Sequence, residues 1–128
     1  MANIEDVQRA QEGDQNLVGV DLSGADLWRS DLGEADLKGA NLNSANLSKA
    51  NLENADLSGA NLSYANLAEA NLQNANLYAA NLRSAKLYEA NLENANLENA
   101  DVSYAIYDDN TAWPEDFDPE EAGAELGG

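Results

Sequence analysis

A strict five-residue period runs through most of this 128-residue sequence and limits the folds that it can adopt. Leucine occupies every fifth position from residue 17 to residue 97, and Val102 continues the series. Alanine precedes nearly every leucine by two residues, and asparagine or aspartate stands between them except at Lys86. Two variable residues, mostly polar or small, complete each unit. A period this regular predicts a stack of short structural repeats.

Neither an α-helix nor a flat strand buries such a leucine series. On a helix, five residues advance the side chain by about 140° beyond a full turn, so the leucines would circle the axis. On a straight strand, the odd spacing would place successive leucines on opposite faces. A short extended segment with a bend every five residues does bury them, with the intervening asparagine or aspartate pointing outward. Bends of one sense wind the chain into coils that stack at about 4.8 Å.

The run from Asp21 to Ala105 resembles the pentapeptide-repeat family, whose unit is Ala-(Asp/Asn)-Leu-X-X. The resemblance implies an all-β solenoid: a right-handed quadrilateral β-helix with four repeats per coil, or about 4.5 coils over residues 15–104. We predict a helical N-terminal cap over residues 1–14, the β-helix over 15–104, and an irregular C-terminal cap with an acidic tail over 105–128. The predicted core includes the inward residues Leu17, Leu37, Leu57, Leu77, Leu97, Ala45 and Ala65.

Both ends depart from the repeat, as expected of segments that cover an open solenoid. Asn3 is a suitable N-cap for a short helix. The face of that helix toward the first coil would consist of Ile4, Val7 and Ala10. Aromatic and other apolar residues gather after the repeats and are expected to cover the last coil: Ile106, Tyr107, Trp113, Pro114 and Phe117. The segment 120–128 is acidic and glycine-rich, a composition typical of a disordered tail.

The composition argues against catalysis. The chain has no cysteine, no histidine and only three lysines, so its many serines have no evident general base. A smooth rod also offers its carboxylates no pocket in which their pKa values would shift. The acidic residues at 108–109 and 115–121 lack the spacing of an EF-hand loop. We therefore predict that the protein is not an enzyme and has neither a cofactor nor a metal site.

The net charge of −18, from 24 acidic and 6 basic residues, disfavours direct binding to nucleic acid or to an anionic membrane. The first residues carry no apolar signal-peptide core, and no run of about 18 apolar residues is present, so we expect a cytoplasmic protein. Sorting the outward residues with a period of twenty gives one face that has acids and amides but no base. Its members are Asp31, Glu34, Glu53, Asn54, Asn74, Glu93 and Asn94, and a second candidate face carries Trp28 and Tyr88.

Two functions remain open. The first is a rigid protein-binding or scaffold module with another protein as its partner. The resemblance is compatible with it, since similar short members of the cyanobacterial type often have a comparable acidic cap that contains Trp-Pro and mostly have no assigned activity. The second, also implied by the resemblance, is an acidic mimic of duplex DNA that binds a topoisomerase such as DNA gyrase.

The charge density of the repeats decides between these two functions. Residues 15–104 carry a net charge of −7. Over the predicted length this is roughly one charge per 3 Å, against about one per 1.7 Å in duplex DNA. We therefore expect the scaffold role, in a monomer, with a dimer through the C-terminal end as the alternative state.

Overall fold

The computed structural model describes residues 2–127, and the repeats form a ladder of parallel β-bridges. The bridges join residues twenty positions apart, from Asn16 with Asp36 to Lys86 with Ile106. Twenty residues are four repeats, so each repeat forms one side of a four-sided coil. Backbone hydrogen bonds connect the coils, as where the Leu57 N–H donates to the Asn76 C=O at 2.7 Å.

Leucine and alanine side chains fill the centre of the coils. Each leucine from residue 17 to residue 92 is at most 1% exposed, and Leu97 is 9% exposed. The residues proposed for the core are buried: Leu17, Leu37, Leu57, Leu77, Leu97, Ala45 and Ala65. Burial of one such leucine contributes about 1.5–3 kcal/mol, so the stacked leucines are the main source of stability.

A β-turn separates each repeat from the next. The leucine C=O accepts the N–H of the residue three positions later, at 3.0 Å between Ala60 and Leu57. The residue two positions after each leucine has φ between +55° and +68°, from Gly19 to Tyr104. A positive φ at the second central residue alone is the mark of a type II turn.

The asparagine or aspartate before each leucine lies on the outside of the coil, as predicted, but from Asp21 onward its side chain also has a structural role that the pattern did not show. Its Oδ1 accepts the backbone N–H two residues later, as at Asp21 with Ser23 (3.1 Å) and at Asn91 with Glu93 (3.0 Å). The bond closes an Asx turn, which holds many of these side chains half-buried against the corner. Lys86 interrupts the series because it has no acceptor oxygen.

The N-terminal cap contains the helix α1, Ile4–Gln11. Asn3 is its N-cap and accepts the Asp6 N–H at 3.1 Å, as predicted. Ala10 is buried and Val7 is half-buried, but Ile4 is 77% exposed, so its predicted place in the interface was wrong. On a helix, Ile4 lies about 120° around the axis from Ala10, outside the narrow contact that the helix makes with the first coil.

The C-terminal cap adds a short strand to the last coil. Strand β1, Ile106–Tyr107, pairs in parallel with strand β2, Glu125–Leu126. The disorder expected for the tail is therefore wrong up to residue 127, because the free backbone edge at the end of the stack pairs with the tail. Gly128 lies outside the described residues.

Aromatic residues complete this cap, as the sequence predicted. The Trp113 ring meets Tyr107 edge-on at 5.6 Å and stacks on Phe117 at 5.1 Å, and both Trp113 and Phe117 pack against the core. Among residues 2–127, no helix has the length and apolar character needed to cross a bilayer.

Candidate binding surface

One corner of the solenoid carries acidic and amide side chains but no lysine or arginine. We call it the acid–amide face and define it as Asp31, Glu34, Glu53, Asn54, Asn74, Glu93 and Asn94. Glu53 is half-buried and the other six are exposed. Because successive coils lie about 4.8 Å apart, the face repeats its polar groups at that spacing along the axis.

Hydrogen bonds between coils hold this face in place. Asn51 Nδ2 donates to Asp31 Oδ1 at 3.1 Å, and Asn71 Nδ2 donates to Glu53 Oε2 at 3.1 Å. Asn54 and Asn74 stand at turn positions with φ of +61° and +62°, which fixes the direction of their Cα–Cβ bonds. The face therefore presents a rigid array of oxygen atoms and amide groups.

The carboxylates of the acid–amide face have no cation beside them. Within residues 2–127, none of them lies within 4.0 Å of a lysine or arginine nitrogen. The neighbouring corner differs, since Lys38 Nζ lies 3.6 Å from Asp36 and 3.8 Å from Asp56. The acid–amide face has no lysine or arginine of its own, so the negative potential of the repeats is least neutralised there.

Trp28 and Tyr88 lie on one corner of the solenoid, three coils apart, a separation of about 14 Å along its axis. Trp28 is 53% exposed, and the Arg29 guanidinium lies 4.8 Å from its ring. Tyr88 is half-buried beside the tail, so close that a Cβ on Gly127 would stand 2.9 Å from Tyr88 Cε1.

Two exposed tyrosines on another corner were not among the predicted binding residues. Tyr64 and Tyr104 are 61% and 54% exposed, and the Arg83 guanidinium lies 4.6 Å from the Tyr104 ring. The forty residues between these tyrosines correspond to two coils, so the period of twenty places them on one corner. The sequence alone shows that the two tyrosines share a corner, but it does not show how far their rings are exposed.

The carboxylates with shifted pKa values serve the fold. Hydrogen bonds from the Ser23 hydroxyl and N–H lower the pKa of Asp21, and Ser103 does the same for Asp101. The Glu89 N–H, which donates to Asp108 at 3.1 Å, is the main cause of the lowered pKa of Asp108. No group of three or more possible metal-ligating residues occurs within residues 2–127. The surface thus offers charge and hydrogen-bonding groups on a fixed frame.

The family of pentapeptide repeats matches residues 16–54, 50–87 and 75–106, in eight copies. The chain is a pentapeptide repeat protein. Members of the family fold as right-handed β-helices, which confirms the predicted fold class, and they are in general structural or binding modules. The count of about 4.5 coils over residues 15–104 stays a prediction.

Solved structures of other pentapeptide repeat proteins are similar to this one. HetL, a protein of the cyanobacterium Nostoc sp. strain PCC 7120 involved in heterocyst differentiation regulation, is 33% identical with a TM-score of 0.72. The match covers 84% of this chain and 53% of HetL, so the chain spans about half the length of HetL. A protein of the Arabidopsis thaliana thylakoid lumen is also 33% identical with a TM-score of 0.72, over 80% of this chain and 70% of its own.

A third structure, alr5209 from Nostoc PCC 7120, is 36% identical over 98% of this chain and 96% of its own, with a TM-score of 0.48. No curated protein sequence matches the chain.

Proposed function

We propose that this pentapeptide repeat protein is a non-enzymatic scaffold that binds another protein through the acid–amide face. The observation that carries the proposal is the row of carboxylates without a neighbouring cation, held at fixed intervals by the backbone ladder. A rigid surface loses little conformational entropy on binding, so more of the interaction energy appears as affinity. We place this function in the cytoplasm, in a monomer.

The partner is a protein with a basic surface or segment. Opposite charge accelerates encounter and excludes partners of like charge. The same charge disfavours direct contact with nucleic acid, whose phosphates would face the carboxylates. Amides of Asn54, Asn74 and Asn94 add donors and acceptors that fix the orientation of the partner.

Capture of binding proteins by immobilised variants tests the role of the face. We expect the pair Glu34→Lys and Glu93→Lys to lose the proteins that the unchanged chain retains, because both side chains are exposed and the two changes cancel the negative charge of the face. The matched control is Glu115→Lys with Glu121→Lys, which makes the same change of charge in the C-terminal cap. If both variants retained the same proteins as the unchanged chain, the acid–amide face would not be the binding surface.

Mimicry of duplex DNA is the weaker alternative, because much of the net charge lies in the caps and not along the repeats. A supercoiling assay with DNA gyrase separates the two functions. Inhibition that weakens with salt and disappears in the Glu34→Lys and Glu93→Lys variant would replace the scaffold proposal. We expect no inhibition.

A further inference from the structure

The first coil has a backbone edge that faces away from the stack, and the N-terminal cap satisfies most of it. The Asn3 N–H donates to the Asp21 C=O at 3.1 Å, and Asp6 Oδ2 accepts the Asp21 N–H at 3.0 Å. The Arg9 guanidinium donates to the Asn16 C=O, and Gln11 Nε2 donates to the Asp26 C=O at 3.4 Å. The cap thus reaches three sides of the first coil.

The fourth side keeps an open donor and acceptor at Asp31. One coil higher, the Asn51 N–H donates to the Ser30 C=O at 2.9 Å, and the Asn51 C=O accepts the Leu32 N–H at 2.8 Å. Asp31 has the same place in the first coil, where no coil lies below it. Among residues 2–127, neither its backbone N–H nor its C=O has a hydrogen-bond partner. Asp31 is therefore ready to form a β-bridge with an added strand.

A cleft of about 330 Å³ lies at this open edge. Its walls are the end of helix α1 with the loop after it, residues 11–15, and the first-coil residues Asp31, Leu32, Gly33 and Ala35. A second cleft adjoins it, shares Gln15, Asp31 and Gly33 with it, and extends to Glu34 and Glu53. The open edge is thus the lower end of the acid–amide face.

The charge around the cleft is negative. Glu12, Asp14 and Asp31 line it, and Glu34 lies in the adjoining cleft. Arg9 is the nearby cation, and its guanidinium already bonds Asp14 at 3.0 Å. An occupant with lysine or arginine side chains fits this environment, and an acidic one does not.

We propose that the cleft binds a short extended basic segment of the partner, which adds a strand to the first coil. This inference rests on the proposed function and names how the partner is held. The Asp31 N–H donates to one carbonyl of the segment, and the Asp31 C=O accepts one of its N–H groups. Basic side chains of the segment then reach the carboxylates of Glu12, Asp31 and Glu34.

NMR titration of the ¹⁵N-labelled protein with the peptide acetyl-Arg-Val-Arg-amide tests the site. We expect saturable shifts of the Asp31, Leu32 and Gly33 amides and of residues 12–15, which weaken as salt is added. The same peptide with an N-methyl group on its third residue keeps its charge but loses the N–H donor. It should bind roughly three- to tenfold more weakly, the loss expected for one hydrogen bond.

A pair of variants isolates the charge of the cleft. Glu12→Lys should weaken the binding of the peptide, whereas Glu5→Lys, the same change of charge, should not, because Glu12 lines the cleft and Glu5 lies in the first turn of helix α1, outside the cleft lining. Equal binding of the methylated peptide, or no shift at any residue, would overturn the inference. Shifts along residues 53–94 without a shift at Asp31 would overturn it while leaving the proposed function intact. Unchanged protein capture by the Glu34→Lys and Glu93→Lys variant, with peptide binding at Asp31 still weakened by Glu12→Lys, would instead contradict the proposed function.

Discussion

The turn residues carry the least favourable local conformation in the chain. The second variable residue of each repeat has a left-handed backbone, yet glycine occupies only positions 19, 24, 39 and 59 of this series. The others include Tyr64, Glu69 and Ala79, with φ of +61°, +60° and +57°. An L-residue with a side chain loses roughly 1–2 kcal/mol in this region. The burial of leucine and the bonds between coils offset that cost.

Ala79→Gly should raise the free energy of unfolding by about 0.5–1 kcal/mol, since glycine adopts φ of +57° without the Cβ penalty. The matched control is Ala68→Gly, at the first variable position, where φ is not positive. There glycine brings only a greater loss of chain entropy, and the free energy of unfolding should fall by about 0.5–1 kcal/mol. Urea denaturation followed by far-UV circular dichroism measures both values. Shifts of the same sign in the two variants would contradict the argument from φ.

The residue pattern predicted burial better than it predicted hydrogen bonding. The common spacing of alanine and leucine leaves one inward direction for both, so their place in the core follows from geometry. The role of Asn61 does not follow in the same way. An asparagine that faces solvent freely and one that closes a turn occupy the same position in the five-residue repeat. Only the geometry of the turn shows that Asn61 Oδ1 accepts the Ser63 N–H at 3.0 Å.

At the scale of elements, the five-residue period breaks where the last coil ends, and hydrogen bonds from side chains hold the chain there. Asn91 bridges Ala112, twenty-one residues later, so one extra residue lies in the loop between β1 and Ala112. Thr111 Oγ1 holds that loop: it donates to the Leu87 C=O at 2.8 Å and accepts the Asp108 N–H at 3.0 Å. The loop is thus tied directly to the last coil below it.

Thr111→Val should lower the free energy of unfolding by about 1–3 kcal/mol, because it leaves the Leu87 C=O and the Asp108 N–H without this partner at a half-buried site. Valine has nearly the shape of threonine, so packing changes little. Thr111→Ser keeps the hydroxyl and should retain most of the stability. Hydrogen exchange at the Ile106 and Tyr107 amides would rise in the valine variant alone. Equal exchange rates in both variants would show that the hydroxyl does not hold the cap.

The caps and the candidate site were predictable to different degrees. Asn3 followed by a short amphipathic segment indicated the first helix, because capping is a local property of the sequence. The pairing of β2 with Ile106 and Tyr107 is not local, and an acidic, glycine-rich composition gave no sign of it. Likewise, the period of twenty located the acid–amide face, but the open edge at Asp31 depends on where helix α1 ends below the first coil.

At the scale of the whole molecule, stability depends on contacts between neighbouring coils. Each coil bonds only to the coils next to it, as the bridges at a spacing of twenty residues show. In such a stack the stability is close to a sum of terms for single units and for their interfaces. A central residue supports two interfaces, whereas a residue of the last coil supports one interface and the cap.

Leu57→Ala and Leu97→Ala test this arrangement, since both residues occupy the same side of the coil and lose the same atoms. Leu57 is 0% exposed and lies between two coils, so its loss should lower the free energy of unfolding by about 3–5 kcal/mol. Leu97 is 9% exposed and has the cap on one side, where the cavity can partly collapse, so about 2–3 kcal/mol is expected. As a control, Leu126→Ala at a 54% exposed position should change the free energy of unfolding by less than about 1 kcal/mol. If Leu97→Ala cost as much as Leu57→Ala in urea denaturation, the C-terminal cap would couple to the stack as strongly as a full coil does.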